Sequence, residues 1–315
     1  MTLRSSTIVA ALLLTSAGIL SAQVPAAARA DARAGKVDAA IAALNAAPKS
    51  AEAHSLLCSL YTSIEQRDQA VSECEAAVQA APQNSNYALN LARAYGDKAD
   101  HAGALTGMRM VGKIRSNFEK AVDLDGKNIE ALSDLGQFYN EAPGMVGGGA
   151  DKAKAIVDRL KPLSPARAHR LAAMIASKHN DEVTALTEFR AEIATEYSPE
   201  AYVDLANFYK GRKQFDNAAD NAKLALQADK AHGPDTLDAA SLLIDMKRDV
   251  PAAITGLRGY LAASQTGPVA SYAKAHVLLA HALQATGDNA GAQSEYQAAV
   301  ALAHDYAAAR KGAGQ

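Results

Sequence analysis

The chain has 315 residues with 32 basic and 34 acidic side chains, which gives a formal net charge of −2. It lacks the clustered Lys and Arg that attract a phosphate backbone, so we expect no nucleic acid among its partners. Alanine is abundant, aromatic residues make up 5% and tryptophan is absent. Together with the lack of sustained Val, Ile and Thr alternation, this composition excludes a sheet protein and predicts helices throughout.

The first 22 residues have the order of a secretory signal peptide. "MTLR" supplies a positive end, "TIVAALLLTSAGIL" an apolar core, and small residues that suit cleavage follow. The apolar run is shorter than the roughly 20 residues that a spanning helix needs. We expect cleavage after Ala22, with Ala26 or Ala28 as alternatives and an uncleaved anchor helix as the rival interpretation. The mature protein is then periplasmic or secreted and does not span the membrane.

Residues 51–84 contain two short amphipathic segments. Leu57 and Tyr61 mark the apolar face of the first, Ala70 and Ala77 that of the second, and a proline closes the unit. Spacings of three and four residues place these side chains on one helix face. The same skeleton recurs six more times, and a truncated copy, "GKVDAAIAALNAAP", precedes the first full unit.

This unit resembles the tetratricopeptide repeat (TPR), a helical hairpin of 34 residues. The resemblance implies an all-α, right-handed superhelical solenoid of helix-turn-helix repeats, in which each hairpin buries its apolar face against its neighbours. We expect an N-terminal linker and partial repeat over 23–50 and a solenoid of about seven repeats over 51–315. Residues 85–155, with "APGMVGGGADKA", also resemble exported bacterial TPR proteins with an APGxVGGG insertion. That closer resemblance implies export and fold, and no biochemical role.

Two repeats carry extra residues between their paired helices. Tyr61 and Tyr95 are 34 residues apart, whereas Tyr95 and Tyr139 are 44 apart. The register places insertions near 97–116 and 143–150, on the same edge of the solenoid. A structural plug and a partner-binding lobe both fit the pattern. The apolar residues of the expected lobe are Met108, Met110, Met145 and Val146.

The glycine-rich stretch invites comparison with a phosphate-binding loop. Gly144 and Gly149 have the spacing of that motif, but Ala150 and Asp151 follow where Lys and Ser or Thr are required. The sequence predicts no strand before the loop. We therefore expect an enlarged turn, with Asp151 as the N-cap of the next helix, and no nucleotide or other cofactor.

The remaining residues predict no catalytic or metal-binding site, and we expect no enzyme. The eight histidines are dispersed without an H-E-x-x-H pair, and no G-x-S-x-G motif occurs. Cys58 and Cys74 fall on the two helices of one predicted hairpin. They form either a disulfide or two buried thiols, and the argument against the disulfide is an expected separation beyond the roughly 7 Å limit for bridging.

The first helix of each hairpin is expected to line the concave groove. Its mixed polar lining suits an extended peptide or a partner helix, and an ordinary solvated face is the alternative. The polar residues of this predicted groove are Arg93, Gln137, Asn140, Arg170, Asn207 and Lys210. The sequence thus predicts an exported non-enzymatic scaffold that binds a protein or peptide through its groove or its lobe. The alternative is a structural subunit of a cell-envelope secretion, polysaccharide-export or outer-membrane assembly machine.

Overall fold

The computed structural model describes residues 23–315, so the predicted signal peptide lies outside the described residues. The described chain forms seventeen α-helices and one short 3-10 turn, and contains no strand. The helices are α1 Ala26–Arg33, α2 Val37–Asn45, α3 Ala51–Ser63, α4 Arg67–Ala80, α5 Ser85–Asp100, α6 Ala104–Leu124, α7 Ile129–Glu141, α8 Ala150–Leu160, α9 Pro165–Lys178, α10 Glu182–Thr195, α11 Pro199–Gly211, α12 Phe215–Ala228, α13 Pro234–Met246, α14 Val250–Ala262, α15 Tyr272–Ala285, α16 Asn289–Leu302 and α17 Ala307–Ala313.

Consecutive helices pack as pairs, from α1 with α2 to α15 with α16, and α17 packs on the last pair. Each pair also contacts the next one, and the buried apolar residues form three clusters along the array. The predicted all-α solenoid of helical hairpins is confirmed. The residues predicted as a linker and partial repeat contain the complete but short pair α1 and α2.

Five successive first helices begin at a side-chain cap. The capping residues Ser50, Asn84, Asn128, Ser164 and Ser198 each accept a hydrogen bond from a backbone amide in the first turn of their helix. Such caps satisfy amides that have no partner inside the helix. The start of each repeat is therefore determined locally, by one residue.

The first helices of the pairs form the inner side of the solenoid. Neighbouring first helices contact one another from α3 through α5, α7, α9, α11 and α13 to α15. Second helices contact chiefly the first helices on either side of them. The array therefore curves with its first helices inside, and they carry the groove.

The predicted insertion near 97–116 is mostly helical, so the extra residues extend the paired helices and do not lie between them as expected. The extra residues lengthen α5 to 16 and α6 to 21 residues, compared with 13 and 14 in α3 and α4. The turn between them is as short as that of other pairs. Ala, Leu, Met, Arg and Lys dominate this stretch and all favour helix.

The second insertion is a compact turn between α7 and α8. A 3-10 turn spans Gly144–Val146, and Gly147 follows with φ of 96°. Gly149, with φ of 146°, is the N-cap of α8. The prediction that Asp151 caps this helix is wrong. The helix α8 begins at Ala150, so its N-cap is Gly149, which has no side chain. Asp151 lies in the first turn, where a carboxylate still complements the helix dipole.

Cys58 and Cys74 form a disulfide between α3 and α4, with their Cα atoms 5.2 Å apart. The expectation of a longer separation is wrong because Ala70 and Ala77, both buried on α4, let the two helices approach closely.

No helix within residues 23–315 is long and apolar enough to cross a membrane.

The two ends of the array are in contact. Gln66 Nε2 donates to the carbonyl of Asp305 at 2.8 Å. The segment 263–271 before α15 returns to the N-terminal pair, where the amide of Ala270 donates to the carbonyl of Ala32 at 3.0 Å. Residues of α1 to α3 and of α11 to α17 share one apolar cluster as a result.

Candidate partner-binding surfaces

Ion pairs connect neighbouring first helices along the inner face. The bonds span α5 to α7, α9 to α11 and α11 to α13. Three predicted groove residues form them with a carboxylate of the next first helix: Arg93 with Asp134 at 2.5 Å, Arg170 with Asp204 at 2.6 Å and Lys210 with Asp245 at 3.0 Å. Their charges are therefore largely satisfied within the solenoid and are not free for a partner.

The Arg170–Asp204 pair is the most enclosed of these, with side-chain exposures of 19% and 14%. Glu192 of α10 lies behind it, is buried, and its Oε2 has no hydrogen-bond partner among the described residues. Burial, and next the Asp204 carboxylate, raise the pKa of Glu192 to about 8. Burial therefore favours the neutral form of Glu192 over a carboxylate.

The other three predicted groove residues differ in their surroundings. Gln137 donates to Glu141 of its own helix at 3.1 Å. Asn140 is 5% exposed, and its Oδ1 has no partner within the described residues. Asn207 is exposed on α11. The structure brings Asn140 and Asn207 to the same cleft and places Gln137 elsewhere.

Two adjoining clefts occupy the inner face between α7 and α13. The first, of about 370 Å³, lies between α7, α9 and α11, and the second, of about 360 Å³, between α9, α11 and α13. Asp204 and Asn207 line both, so we treat the two as one inner-face cleft.

The part of this cleft between α9 and α13 is acidic. Its ionisable lining comprises Glu200, Asp204, Asp235, Asp238 and Asp245 against Arg170 and Lys210. Both basic residues are already paired, whereas Asp235 and Asp238 form no ion pair within the described part of the chain. Burial, and next the neighbouring Glu200, raise the pKa of Asp235 to about 6. The cleft thus carries a surplus of negative charge that an incoming cation would relieve.

The residues of the predicted lobe are divided between the core and an open groove. Met110 is partly buried against the core of the central pairs. Met108 and Met145 are 65% and 90% exposed, and Val146 is half-buried. Met108, Met145 and Val146 instead line an open groove of about 680 Å³, which we call the edge groove. Its walls come from the end of α5, the first half of α6, the end of α7 and the turn before α8.

The backbone amides of the glycine-rich turn at the edge groove donate to carbonyls of the turn itself and of α7. The amide of Gly147 donates to Gly144, that of Gly148 to Pro143 and that of Gly149 to Tyr139, at 3.0, 3.2 and 2.8 Å. A phosphate cradle requires such amides to converge on one anion. Here they close the turn itself.

Sequence reasoning missed a recurring pair of polar residues. In three hairpins a histidine of the first helix bonds through Nδ1 to a glutamate 19 residues later on the second helix. The pairs are His54 with Glu73 at 2.6 Å, His169 with Glu188 at 2.7 Å and His276 with Glu295 at 2.6 Å. The signal was present as "AHSL", "AHRL" and "AHVL". These pairs fasten the two helices of a hairpin, and no group of three or more metal-type ligands gathers within residues 23–315.

Comparisons with known proteins give structural neighbours alone. No family model matches the chain, and no curated protein matches it. The chain is similar to a thermophilic TPR protein of Thermus thermophilus, with 18% identity, 62% of this chain and 100% of that chain covered, and a TM-score of 0.46. It is similar to PilW, a type IV pilus biogenesis factor, with 14% identity, coverages of 85% and 100%, and a TM-score of 0.41. For the APC/C hetero-tetramer Cut9-Hcn1 the identity is 14%, the coverages 89% and 52%, and the TM-score 0.40. The TPR-like fold of residues 23–315 therefore rests on the packed helix pairs themselves.

Proposed function

We propose that this chain is an exported, non-enzymatic scaffold that binds a protein partner along its inner face. The observation that carries the proposal is the acidic surplus of the inner-face cleft, where, among the described residues, Asp235 and Asp238 form no ion pair while Arg170 and Lys210 are already paired. A partner segment that presents Lys or Arg complements this surface. Its extended backbone can follow the row of first helices.

The shifted carboxyl group of Glu192 supports a structural role more than a catalytic one. The pKa of Glu192 is strongly raised, yet this residue is buried behind the Arg170–Asp204 pair and does not line the cleft. A general acid or base must reach the proton it transfers. Glu192 is instead part of the packing between α9, α10 and α11.

Two observations support export. Residues 1–22 have the order of a signal peptide. The Cys58–Cys74 disulfide joins two helices of one hairpin, and such bonds persist in oxidising compartments.

Site-specific photo-crosslinking in the native cell tests the function. A benzoylphenylalanine at position 241 replaces Ser241, which lines the acidic part of the cleft. The matched control places it at Ala194, exposed on the second helix α10. We expect a discrete protein adduct from position 241 that is weakened in the double variant Asp235→Asn, Asp238→Asn, and no adduct from position 194.

Equal adducts from both positions, or an adduct that is indifferent to the two asparagine substitutions, would contradict binding through the cleft. Fractionation of the same cells tests export: an unprocessed protein in the cytoplasm would refute it.

A further inference from the structure

We propose that the edge groove is a second docking site, which takes an amphipathic helix of a partner protein with Leu, Met or Phe on one face and Lys or Arg beside that face. It lies on α5, α6, α7 and the turn before α8, and it borders the inner-face cleft at Glu141, which lines both. It shares no residue with the acidic part of that cleft. This inference does not depend on the function proposed for that cleft.

Exposed apolar side chains are concentrated at this groove. Of the seven large apolar residues exposed in the described chain, Met108 and Met145 line it, at 65% and 90% exposure, and Leu105, at 66%, follows the lining residue Ala104 in α6. Phe118 and Phe138 form its floor. A contiguous apolar patch of this kind marks an interaction site in a soluble protein, and methionine adapts its shape to different partners.

Small residues give the groove its depth. Gly96 and Ala99 of α5 and Ala104 and Gly107 of α6 all belong to its lining. A Cβ atom built on Gly96 would meet no atom within 4 Å, so the space above this glycine is open. A partner helix can therefore place its side chains in this open space, with anchor residues spaced by three and four positions.

The charge of the rim selects the partner. Asp100, Asp134 and Glu141 line the groove, and none of its described lining residues is basic. Asp134 is paired with Arg93, whereas the carboxylates of Asp100 and Glu141 form no ion pair in the described chain. Lys178 Nζ reaches Glu141 only at its backbone carbonyl, at 3.1 Å. A partner helix with Lys or Arg beside its apolar face compensates both carboxylates. A second copy of this chain would bring acidic rim against acidic rim, which disfavours self-association through the groove.

The groove wall formed by the turn is built in advance of binding. Arg115 Nη1 donates to the carbonyl of Val146 at 3.2 Å, and Lys152 Nζ donates to that of Gly147 at 2.8 Å. Gly148 is buried against Ala142. Met145 is thereby presented on a fixed support, and a preformed wall lowers the entropic cost of binding.

The test uses the full mature chain and a labelled synthetic peptide of about 18 residues, which is five turns of helix. The peptide has Leu on one face and Lys beside it; one relative has Glu in place of Lys and another has the same composition scrambled. Gly96→Leu fills the groove. Gly112→Leu is the matched control, because Gly112 is also a helical glycine at which an added Cβ would meet no atom within 4 Å, but it does not line the groove.

We expect the Lys peptide to bind the parent protein and the Gly112→Leu variant within about twofold of each other, and Gly96→Leu to weaken binding by about tenfold or more. The double variant Asp100→Lys, Glu141→Lys should reverse the preference toward the Glu peptide. An unaffected Gly96→Leu variant, equal binding of the scrambled peptide, or a dissociation constant weaker than about 1 mM for the Lys peptide would overturn the proposal. So would light scattering that shows a dimer of the parent protein dissociated by Gly96→Leu, because the occupant would then be a second copy.

Discussion

The carboxylate of Asp38 accepts a hydrogen bond from the backbone amide of His304 at 2.8 Å, although 266 residues separate the two in sequence. The bond joins the second helix of the first pair to the turn before the last helix. The terminal pairs of a solenoid ordinarily expose one side to solvent. Here each covers the other, so the ends of the array protect one another's apolar faces.

Tyr306 is expected to be essential to this junction. Its ring is 2% exposed in the cluster shared by both ends, and its hydroxyl lies 3.4 Å from Glu65. Replacement of a buried aromatic ring by alanine leaves a cavity, so Tyr306→Ala should lower the free energy of unfolding by about 3–5 kcal/mol. Urea denaturation followed by circular dichroism measures this loss. Tyr197→Ala, at a 69% exposed ring, is the control and should cost about 1 kcal/mol or less. Equal losses in the two variants would refute the junction's importance.

Glu192 should make the protein less stable as the pH rises. Its pKa is about 8 in the folded chain against 4.5 ordinarily. Between these values the unfolded chain has released this proton and the folded chain holds it, so the free energy of unfolding falls with rising pH. The contribution is fully present below about pH 4.5 and is lost as the pH passes about 8, with a slope of at most about 1.4 kcal/mol per pH unit.

Glu192→Gln keeps the shape of the side chain and removes its titration. Urea denaturation at pH 5.5 and at pH 8 should show a smaller difference in the variant than in the parent protein. Glu196→Gln, at an exposed position of the same segment, should leave the difference unchanged. If the Glu192 variant retains the full dependence, another group is responsible for it.

The Cys58–Cys74 disulfide should stabilise the first full hairpin. The two residues are 16 apart, and closure of a loop of this size contributes about 3 kcal/mol in the chain-entropy model. The double variant Cys58→Ala, Cys74→Ala should lose stability of that order in urea denaturation. Thiol titration of the denatured, unreduced protein provides the direct measurement: we expect no free thiol, and a count of two would contradict the bond.

The turn before α8 should tolerate substitution at one glycine and not at another. A Cβ atom on Gly148 would collide with the carbonyl of Ala142, whereas one on Gly144 would meet no atom within 4 Å. Gly148→Ala should therefore lower the free energy of unfolding by about 1–3 kcal/mol through forced backbone shifts. Gly144→Ala should change it by about 0.5 kcal/mol or less. Thermal and urea denaturation of both variants compare them, and equal stability would show that the turn can rearrange.

Part of the candidate site was visible in the sequence. Met108 and Met145 were identifiable as neighbours because the repeat register places turns of successive pairs on one edge. Their arrangement around a groove was not, since it depends on α5 and α6 being lengthened and on Met110 facing the core. Arg93, Arg170 and Lys210 were recognisable as inner-face residues, but their ion pairs with the next first helix appear only when adjacent repeats are stacked.

By itself the sequence determined the helical hairpins. Local patterns specify them: apolar spacing, as between Leu57 and Tyr61, and capping residues such as Ser50 and Ser198. These patterns act within a few residues of chain, so they can be recognised from the sequence alone. Only the tertiary structure decided that Asp38 meets His304. The position of each end of the array depends on the sum of small rotations between successive helix pairs. Local sequence patterns do not specify these rotations, so they do not predict whether the two ends meet. The same stacking decided which carboxylates of the inner face find a cation and which remain open to a partner.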